Sequence, residues 1–263
     1  MKYSRIVMFG AGNVAVHLAR ALSGAGYRIA QVFSRTEASA RPLAEELKAE
    51  VITKPADFDT STDIIIFALN DSVLPDIVNK INFSGQLALH VSGGLGMDVF
   101  KDKAENYGVM YPLQSFSKFR AINFQDVPLF IEANSPKNLA NLKMLASTIS
   151  AKVLLADSLQ RRQLHLSAVF ASNFVNHFYA LSAELIKNSG FSFDLLKPII
   201  LETTLKALES GNPMLSQTGP AVRRDKEVID KHLEMLATTP DWQNLYTFVT
   251  NSIVKLHHNE TII

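Results

Sequence analysis

The chain has 263 residues, 47% of them hydrophobic, with a formal net charge of +1 and no cysteine. This length and apolar content suit one large domain or two smaller ones with a substantial core, and the near-neutral charge, without a basic patch interleaved with aromatics, argues against nucleic acid as a partner. Lack of cysteine excludes disulfides, thiol nucleophiles and thiolate metal sites and fits a reducing compartment, so a cytoplasmic location is expected, with no metal site.

The start Met1–Lys2–Tyr3–Ser4–Arg5 is basic and followed by apolar residues, but Gly10 and Gly12 end that run and no small-residue cleavage site follows. It reads as a first strand, not a signal peptide. Ile6–Val7–Met8–Phe9 is that strand. Gly10–Ala11–Gly12–Asn13–Val14–Ala15 then leads into a helix, Val14–Leu22. Strand, G-x-G-x-x-A, helix is the pattern of a dinucleotide site. Gly10 permits a tight turn, Gly12 has no Cβ to block a pyrophosphate, and Ala15 lets the helix sit close on the strand. The unpaired first N–H groups of the helix, those of Asn13 and Val14 among them, point at the phosphates. A second strand, Arg28–Phe33, follows the Gly24–Ala25–Gly26 break, so the unit fits a βαβ of about 30 residues. The competing reading is a doubly wound domain that has lost its nucleotide.

Strand two ends in Ser34–Arg35–Thr36, where NAD-preferring sites place a carboxylate for the ribose 2′-OH. A guanidinium between two hydroxyls suits a 2′-phosphate instead, which favours NADP; the alternative is a solvated loop arginine. A helix Ala38–Leu47 and a short strand Glu50–Ile52 follow. The apolar run Asp63–Leu69 reads as a central parallel strand buried on both faces. It ends in Asn70–Asp71–Ser72 on the ligand side of the sheet. Leu69 and Asn70 are candidate cofactor contacts there, and Asp71 or Ser72 is a candidate N-cap for a helix Val73–Ile81. Strand five, Gln86–Val91, closes in Ser92–Gly93–Gly94, again a carboxyl-end loop. His90 and Ser92 share a face. No Gly-x-Ser-x-Gly elbow accompanies them, which argues against acyl transfer and for binding of nicotinamide or substrate; the alternative for His90 is an imidazole satisfied by backbone. Tyr107–Tyr111 is a sixth strand, leading into Pro112–Leu113–Gln114–Ser115–Phe116. Val127–Glu132 and Lys152–Leu155 are two further strands flanking a helix Lys137–Ile149.

The sheet ends near Asp157, and the character changes. Ser158–Asn188 holds no Gly and no Pro, and reads as one long helix. At ~100° per residue His165, Ser172, Asn173 and Asn176 fall within a quarter-turn, while Leu166, Phe170, Phe174, Phe178 and Leu181 cover most of the rest. A helix apolar nearly all round is expected to be buried, and its polar stripe needs partners in a site or on neighbouring helices. Asp194 is the candidate cap of a helix Leu195–Glu209. Lys226–Leu236 and a last helix opened by Thr239–Pro240 follow, and the tail His257–His258–Asn259 reads as exposed. The apolar surface after Asp157 exceeds what a small domain can cover, so a homodimer through these helices is expected.

Gly10-x-Gly12-x-x-Ala15, His90–Val91–Ser92–Gly93–Gly94, Tyr111–Pro112–Leu113–Gln114–Ser115–Phe116, the His165…Ser172–Asn173 helix and Thr218–Gly219–Pro220-x-x-Arg223-x-Asp225 occur in that order. With this set the chain resembles, over almost its whole length, the NADP oxidoreductases in which a Rossmann-like domain precedes a helical domain of unknown function. More distantly it is similar to pyrroline-5-carboxylate reductase, prephenate dehydrogenase and 6-phosphogluconate dehydrogenase. The resemblance implies an α/β fold, a Rossmann-like doubly wound, mostly parallel sheet followed by an all-α C-terminal domain. The expected division is 1–157 for NADP and 158–263 for substrate and dimerisation. It further implies a substrate cleft between the two. Two departures stand out. Many relatives carry His-Pro where this chain has Tyr111–Pro112, and the Lys-x-x-x-Asn pair of hydroxyacid dehydrogenases is missing, although Asn173 and Asn176 lie on the matching kind of helix.

The expected activity is hydride transfer between NADP(H) and a small carbonyl or imine compound, with the nicotinamide near Ser92 and Tyr111. His165 is the candidate proton donor, because imidazole exchanges protons near neutrality. Ser92 and Asn173 would orient the substrate, with help from Gln114. The alternative is a non-catalytic, NADP-binding dimeric regulator, since fold alone does not decide function.

Overall fold

Strand β1 (Arg5–Phe9) is buried along nearly its whole length, and its side chains alternate between two cores. Ile6 and Met8 join one, Val7 and Phe9 the other. The computed structural model describes residues Arg5–His258; Met1–Ser4 and Asn259, which enter the sequence reading above, lie outside them.

One eight-stranded sheet results, in the order β3 (Glu50–Ile52), β2 (Arg28–Phe33), β1, β4 (Ile64–Phe67), β5 (Leu87–His90), β6 (Asn106–Pro112), β7 (Leu129–Ala133) and β8 (Val153–Leu155). Every neighbouring pair is parallel except β6 with β7. This is the expected Rossmann-like, mostly parallel sheet. The strand order turns back at β1 and β4, and in such sheets the crevice at the carboxyl ends of the strands at that point receives ligands. Helices α1 (Asn13–Gly24) and α2 (Glu37–Leu47) cover the first core with Leu18, Leu22 and Leu43. The second core holds a run of packed aromatic rings. Phe9 lies 4.8 Å from Phe33 and 4.9 Å from Phe67, and Phe67 lies 5.5 Å from Phe100. Helix α3 (Leu74–Val78) closes this face with Leu74, Ile77 and Val78, and α4 (Pro136–Ser147) adds Leu142 and Leu145 to the first.

Helix α3 is shorter than the expected Val73–Ile81, and neither Asp71 nor Ser72 caps it. The Asn70 carbonyl accepts from the Val73 and Leu74 N–H groups at 2.9 and 3.1 Å, so a backbone turn satisfies donors that a side-chain cap would have served. Asp194 is also not a cap: Ser192 accepts from the Asp194 N–H, Asp194 pairs with Lys197, and the regular helix begins at Lys197.

The chain packs as two compact units, Met1–Tyr179 and Ala180–Ile263. The sheet ends at Leu155, and helix α5 (Ser158–Ala168) groups with it. Its N-terminus is fixed by a capping box between Asp157 and Gln160. Helix continues to Lys187, but not regularly. Val169–Phe174 forms a π-turn before α6 (Val175–Lys187). A π-turn bonds i to i+5 and so rotates everything beyond it relative to what precedes it. The uniform quarter-turn stripe from His165 to Asn176 therefore does not form. Nor is this helix buried. Leu166, Phe170, Phe174 and Phe178 are 59, 62, 45 and 39% exposed.

In the second unit α7 (Lys197–Glu209) has no buried residue. Three further helices, α8 (Pro220–Arg223), α9 (Lys226–Met235) and α10 (Pro240–His258), pack around Ala221, Ile229, Leu236 and Val254. His258, expected in an exposed tail, is half-buried because its Nε2 donates to the Val222 carbonyl at 2.8 Å. Among the described residues no helix is long and apolar enough to cross a membrane.

Candidate functional site

The Gly-rich turn sits at the carboxyl end of β1. Gly10 has φ +123°, and a Cβ there would lie 2.2 Å from the Ala68 carbonyl oxygen, so the close approach of β1 and β4 requires glycine. Its N–H donates to the Phe33 carbonyl at 2.9 Å, which ties the turn to the end of β2. Gly12 differs. A Cβ at Gly12 would meet nothing within 4 Å, and no side chain caps α1, which begins at the next residue. Open space above uncapped N–H groups is what an approaching pyrophosphate needs, so these residues fit a dinucleotide. Ala15 is fully buried beneath them and Val14 packs against the first core. The Asn13 side chain accepts from the Lys118 N–H at 3.3 Å, and the His17 Nε2 donates to the Ser117 carbonyl at 2.8 Å. The loop after β6 is thereby pinned beside the N-terminus of α1.

At the end of β2, Ser34 is half-buried while Arg35 and Thr36 are exposed. The Thr36 hydroxyl bonds Ser39 at 2.8 Å. Among the described residues the Arg35 guanidinium has no partner and is free for an anion. At the end of β4, Leu69 is half-buried and Asn70 exposed. The adjoining Asp71 carboxylate lies 2.8 Å from where a Gly94 Cβ would be, so the loops after β4 and β5 touch.

The loop after β5 is built around His90 and Ser92. His90 is fully buried against Phe100, ring centres 5.7 Å apart. Its Nδ1 accepts from the Ser92 N–H at 3.2 Å and its Nε2 donates to the Gly96 carbonyl at 3.3 Å. Burial, and then the nearby Arg161 charge, push its pKa down to about 3 against the opposing pull of the Gly96 bond. His90 is thus a neutral core residue satisfied by backbone, and it does not face a ligand as the strand alternation suggested. The Ser92 hydroxyl accepts from the Gly94 and Leu95 N–H groups, both at 3.0 Å. Its proton stays free to donate. The same loop borders a groove of about 440 Å³ with Pro75, Asn79, Asp98 and Arg162.

Helix α5 brings two residues to this loop. Arg161 is fully buried. Its Nε donates to the Ser92 carbonyl at 3.1 Å, one terminal nitrogen to the Leu95 carbonyl at 2.6 Å, and the other to Glu132 of β7 at 2.6 Å. Ser158 bonds the same carboxylate at 2.8 Å. One turn further, His165 is exposed, and its Nδ1 lies 3.2 Å from the Tyr111 hydroxyl. The two rings meet edge to face at 6.0 Å. A Cβ at Gly93 would come within 2.7 Å of His165, so the imidazole rests directly on the Gly93 backbone. Tyr111 is buried, which holds its phenol pKa above the usual value, with Arg161 pulling the other way.

Ser92, Tyr111 and His165 are therefore gathered at one place. Two other predicted residues are not joined to them. Gln114 is exposed and accepts from its neighbour Ser115 N–H at 2.8 Å. Asn173 lies in the π-turn, exposed, with no side-chain hydrogen bond among the described residues. Arg161 and Glu132 escape the sequence reading. The available signal was the helical spacing: Arg161 is i−4 to His165, one turn upstream on the same face.

A Rossmann-like sheet, a glycine turn open to a pyrophosphate, and a helix histidine seated on the serine-bearing loop after β5 define a dinucleotide-dependent oxidoreductase class. Residues 5–92 match the family described as NADP oxidoreductase, coenzyme F420-dependent, and residues 127–253 match a domain of unknown function, DUF2520. The chain is 45% identical to BF3122 of Bacteroides fragilis, a candidate NADP oxidoreductase, over 96% of this chain and 98% of that one, with a TM-score of 0.90. It belongs to this family of NADP oxidoreductases, whose cofactor is NADP. The fold alone is shared with pyrroline-5-carboxylate reductase from Streptococcus pyogenes (13% identity, 95% of this chain and 98% of that, TM-score 0.61). It is likewise shared with an imine reductase from Streptomyces aurantiacus (15% identity, 97% and 94%, TM-score 0.61). No curated protein matches the sequence.

The buried His90 makes stability depend on pH. An unfolded imidazole titrates near ~6.5, and the folded one near about 3, so between those values the unfolded state binds the extra proton. Stability is complete above ~6.5 and is lost as pH falls, by about 1.4 kcal/mol per unit, or roughly 2 kcal/mol at pH 5. Urea unfolding of wild type and His90→Asn at pH 7, 6 and 5 checks this. The difference between the two should shrink as pH falls; a constant difference would rule out the buried neutral imidazole as the cause.

Proposed function

We propose that the chain is an NADP-dependent reductase of a small carbonyl or imine compound. The observation that carries this reading is the His165 imidazole, exposed on one edge, bonded to buried Tyr111 on the other and seated on Gly93 at the carboxyl-end loops of the sheet. Residues 1–157 would serve the cofactor and 158–263 the substrate and dimer contact. NADPH, when bound, supplies the hydride. The chain's own residues do the rest. Gly10 and Gly12 leave room for the pyrophosphate, and the N–H groups of Asn13, Val14 and Ala15 bind it. Arg35 takes the 2′-phosphate, flanked by Ser34 and Thr36. Leu69 and Asn70 line the ribose beside the loop of Ser92. The free Ser92 hydroxyl proton and the amides of Gln114 and Asn173 orient the substrate. His165 donates to the oxygen or nitrogen where charge develops.

The match of residues 5–92 to an F420-dependent family makes a deazaflavin a second substrate class to test. Oxidation of NADPH against a panel of keto acids, cyclic imines and deazaflavins tests the reading, and no turnover with any of them would favour the regulator instead.

For the cofactor, Arg35→Ala should weaken NADPH binding about tenfold or more, the scale of one charge-assisted contact of ~1.5–3 kcal/mol, and leave NADH nearly unchanged. Fluorescence titration with both cofactors checks this, and equal weakening of the two would assign Arg35 a structural role. For chemistry, His165→Asn should cost at most ~1–2 kcal/mol of stability, since the side chain is exposed, but lower turnover about a hundredfold. A stable variant with wild-type turnover removes His165 from the mechanism. For assembly, the exposed Leu166, Phe170, Phe174 and Phe178 call for cover, and a second copy of the chain fits the family likeness. Light scattering at micromolar concentration should report twice the chain mass; a monomer would overturn the dimer.

A further inference from the structure

The proton on His165 has a position that the surrounding structure dictates. The Tyr111 side chain is 8% exposed, and among the described residues its hydroxyl has one partner, Nδ1 of His165 at 3.2 Å. A buried phenol that keeps its proton must donate it, because an unsatisfied buried donor is costly. If Nδ1 carried the ring proton, that N–H would point at the phenol oxygen and the hydroxyl proton would have no acceptor. The ring has little freedom to avoid the choice. Tyr111 meets it edge to face at 82°, and the Gly93 backbone lies so close that a Cβ would sit 2.8 Å from Nδ1. The seat itself is held from below: Arg161 bonds the carbonyls of Ser92 and Leu95, on either side of Gly93, and is itself anchored by Glu132. The other titratable neighbour, His90, is buried with both its nitrogens bonded to backbone.

We propose that Tyr111 is a positioning residue that donates to Nδ1 and so fixes neutral His165 as the Nε2–H tautomer, with the donor on the exposed edge of the ring. The inference rests on the reading of His165 as the group that meets the developing charge and sharpens it: the neutral ring gives a hydrogen bond there, since loss of its Nε2 proton would leave an imidazolate, and the proton that completes the product comes from water. An outward N–H meets an atom with a free lone pair, a carbonyl oxygen or an unprotonated imine nitrogen. It does not serve as a base for an alcohol or an ammonium group.

The test needs neither substrate nor cofactor. Long-range proton–nitrogen correlation spectra of the whole chain at pH 8 separate the two neutral tautomers by their ring nitrogen shifts, and His165→Gln assigns the His165 signals among the seven histidines. In wild type Nδ1 should show the shift of an unprotonated acceptor and Nε2 that of a protonated nitrogen. In Tyr111→Phe the two shifts should move toward each other as the freed ring exchanges between forms. A wild-type ring protonated at Nδ1, or identical spectra for wild type and Tyr111→Phe, would overturn the proposal. Should Tyr111→Phe fail to fold, the wild-type tautomer decides alone. Failure here is distinct from failure of the reductase reading, since the Nε2–H form can be found in a protein whose turnover does not respond to His165→Asn.

Discussion

The buried ion pair between Arg161 and Glu132 is the interaction on which the candidate site depends. A guanidinium taken wholly out of water is costly unless its donors are satisfied, and breaking such a pair leaves an uncompensated charge worth roughly 3–5 kcal/mol. Here the donors go to Glu132, to the carbonyls of Ser92 and Leu95 and to Ser158. Those contacts join three segments: the loop after β5, the strand β7 and the first turn of α5. The seat of His165 follows from where that one charge lies, whereas burial sets the pKa directions of His90 and Tyr111, the Arg161 charge adding to the first and opposing the second.

The glycines illustrate three separate physical demands. Gly10 is required by its own fold, because its positive φ and the Ala68 carbonyl leave no room for a Cβ. Gly12 is unconstrained by its own fold, and its bare Cα is intelligible only through something that approaches it. Gly93 is constrained by a side chain 72 positions away in sequence order, the His165 ring. An alanine would look equally modest at each place on paper. The neighbours, and not the residue type, decide what it would break.

The helical part follows another logic. Apolar residues along Leu166–Phe178 remain exposed within one chain, and the π-turn at Val169–Phe174 falls among them. Helices of this kind derive their stability from packing of an apolar face more than from propensity. A π-turn is an irregularity that a helix keeps where some local geometry requires it, commonly near a functional site. Ser172 and Asn173 lie within it, and its register sets which way they project.

How much of this was legible in the chain itself can be traced residue by residue. Local patterns determined the sheet, since β-strand burial on two faces writes continuous apolar runs such as Ile64–Phe67, and the glycine turn writes the cofactor site in consecutive residues. That Ser34–Arg35–Thr36 and Ser92 lie just past the carboxyl ends of parallel strands was legible for the same reason: those ends are marked by where the runs stop. Three features were decided by tertiary structure. Whether His90 faces a ligand or the core depended on Phe100 and Arg161, neither of which the strand alternation encodes. The stripe on the long helix assumed one constant turn angle, and a π-turn leaves no mark in hydrophobic periodicity. The Arg161–Glu132 pair spans 29 residues between a strand and a helix. A charged residue near a helix start reads as solvated, and only the folded chain shows it buried. Short-range spacing specifies the elements and the cofactor turn; long-range contacts, which no local pattern records, choose the orientation and protonation of the side chains that would do chemistry.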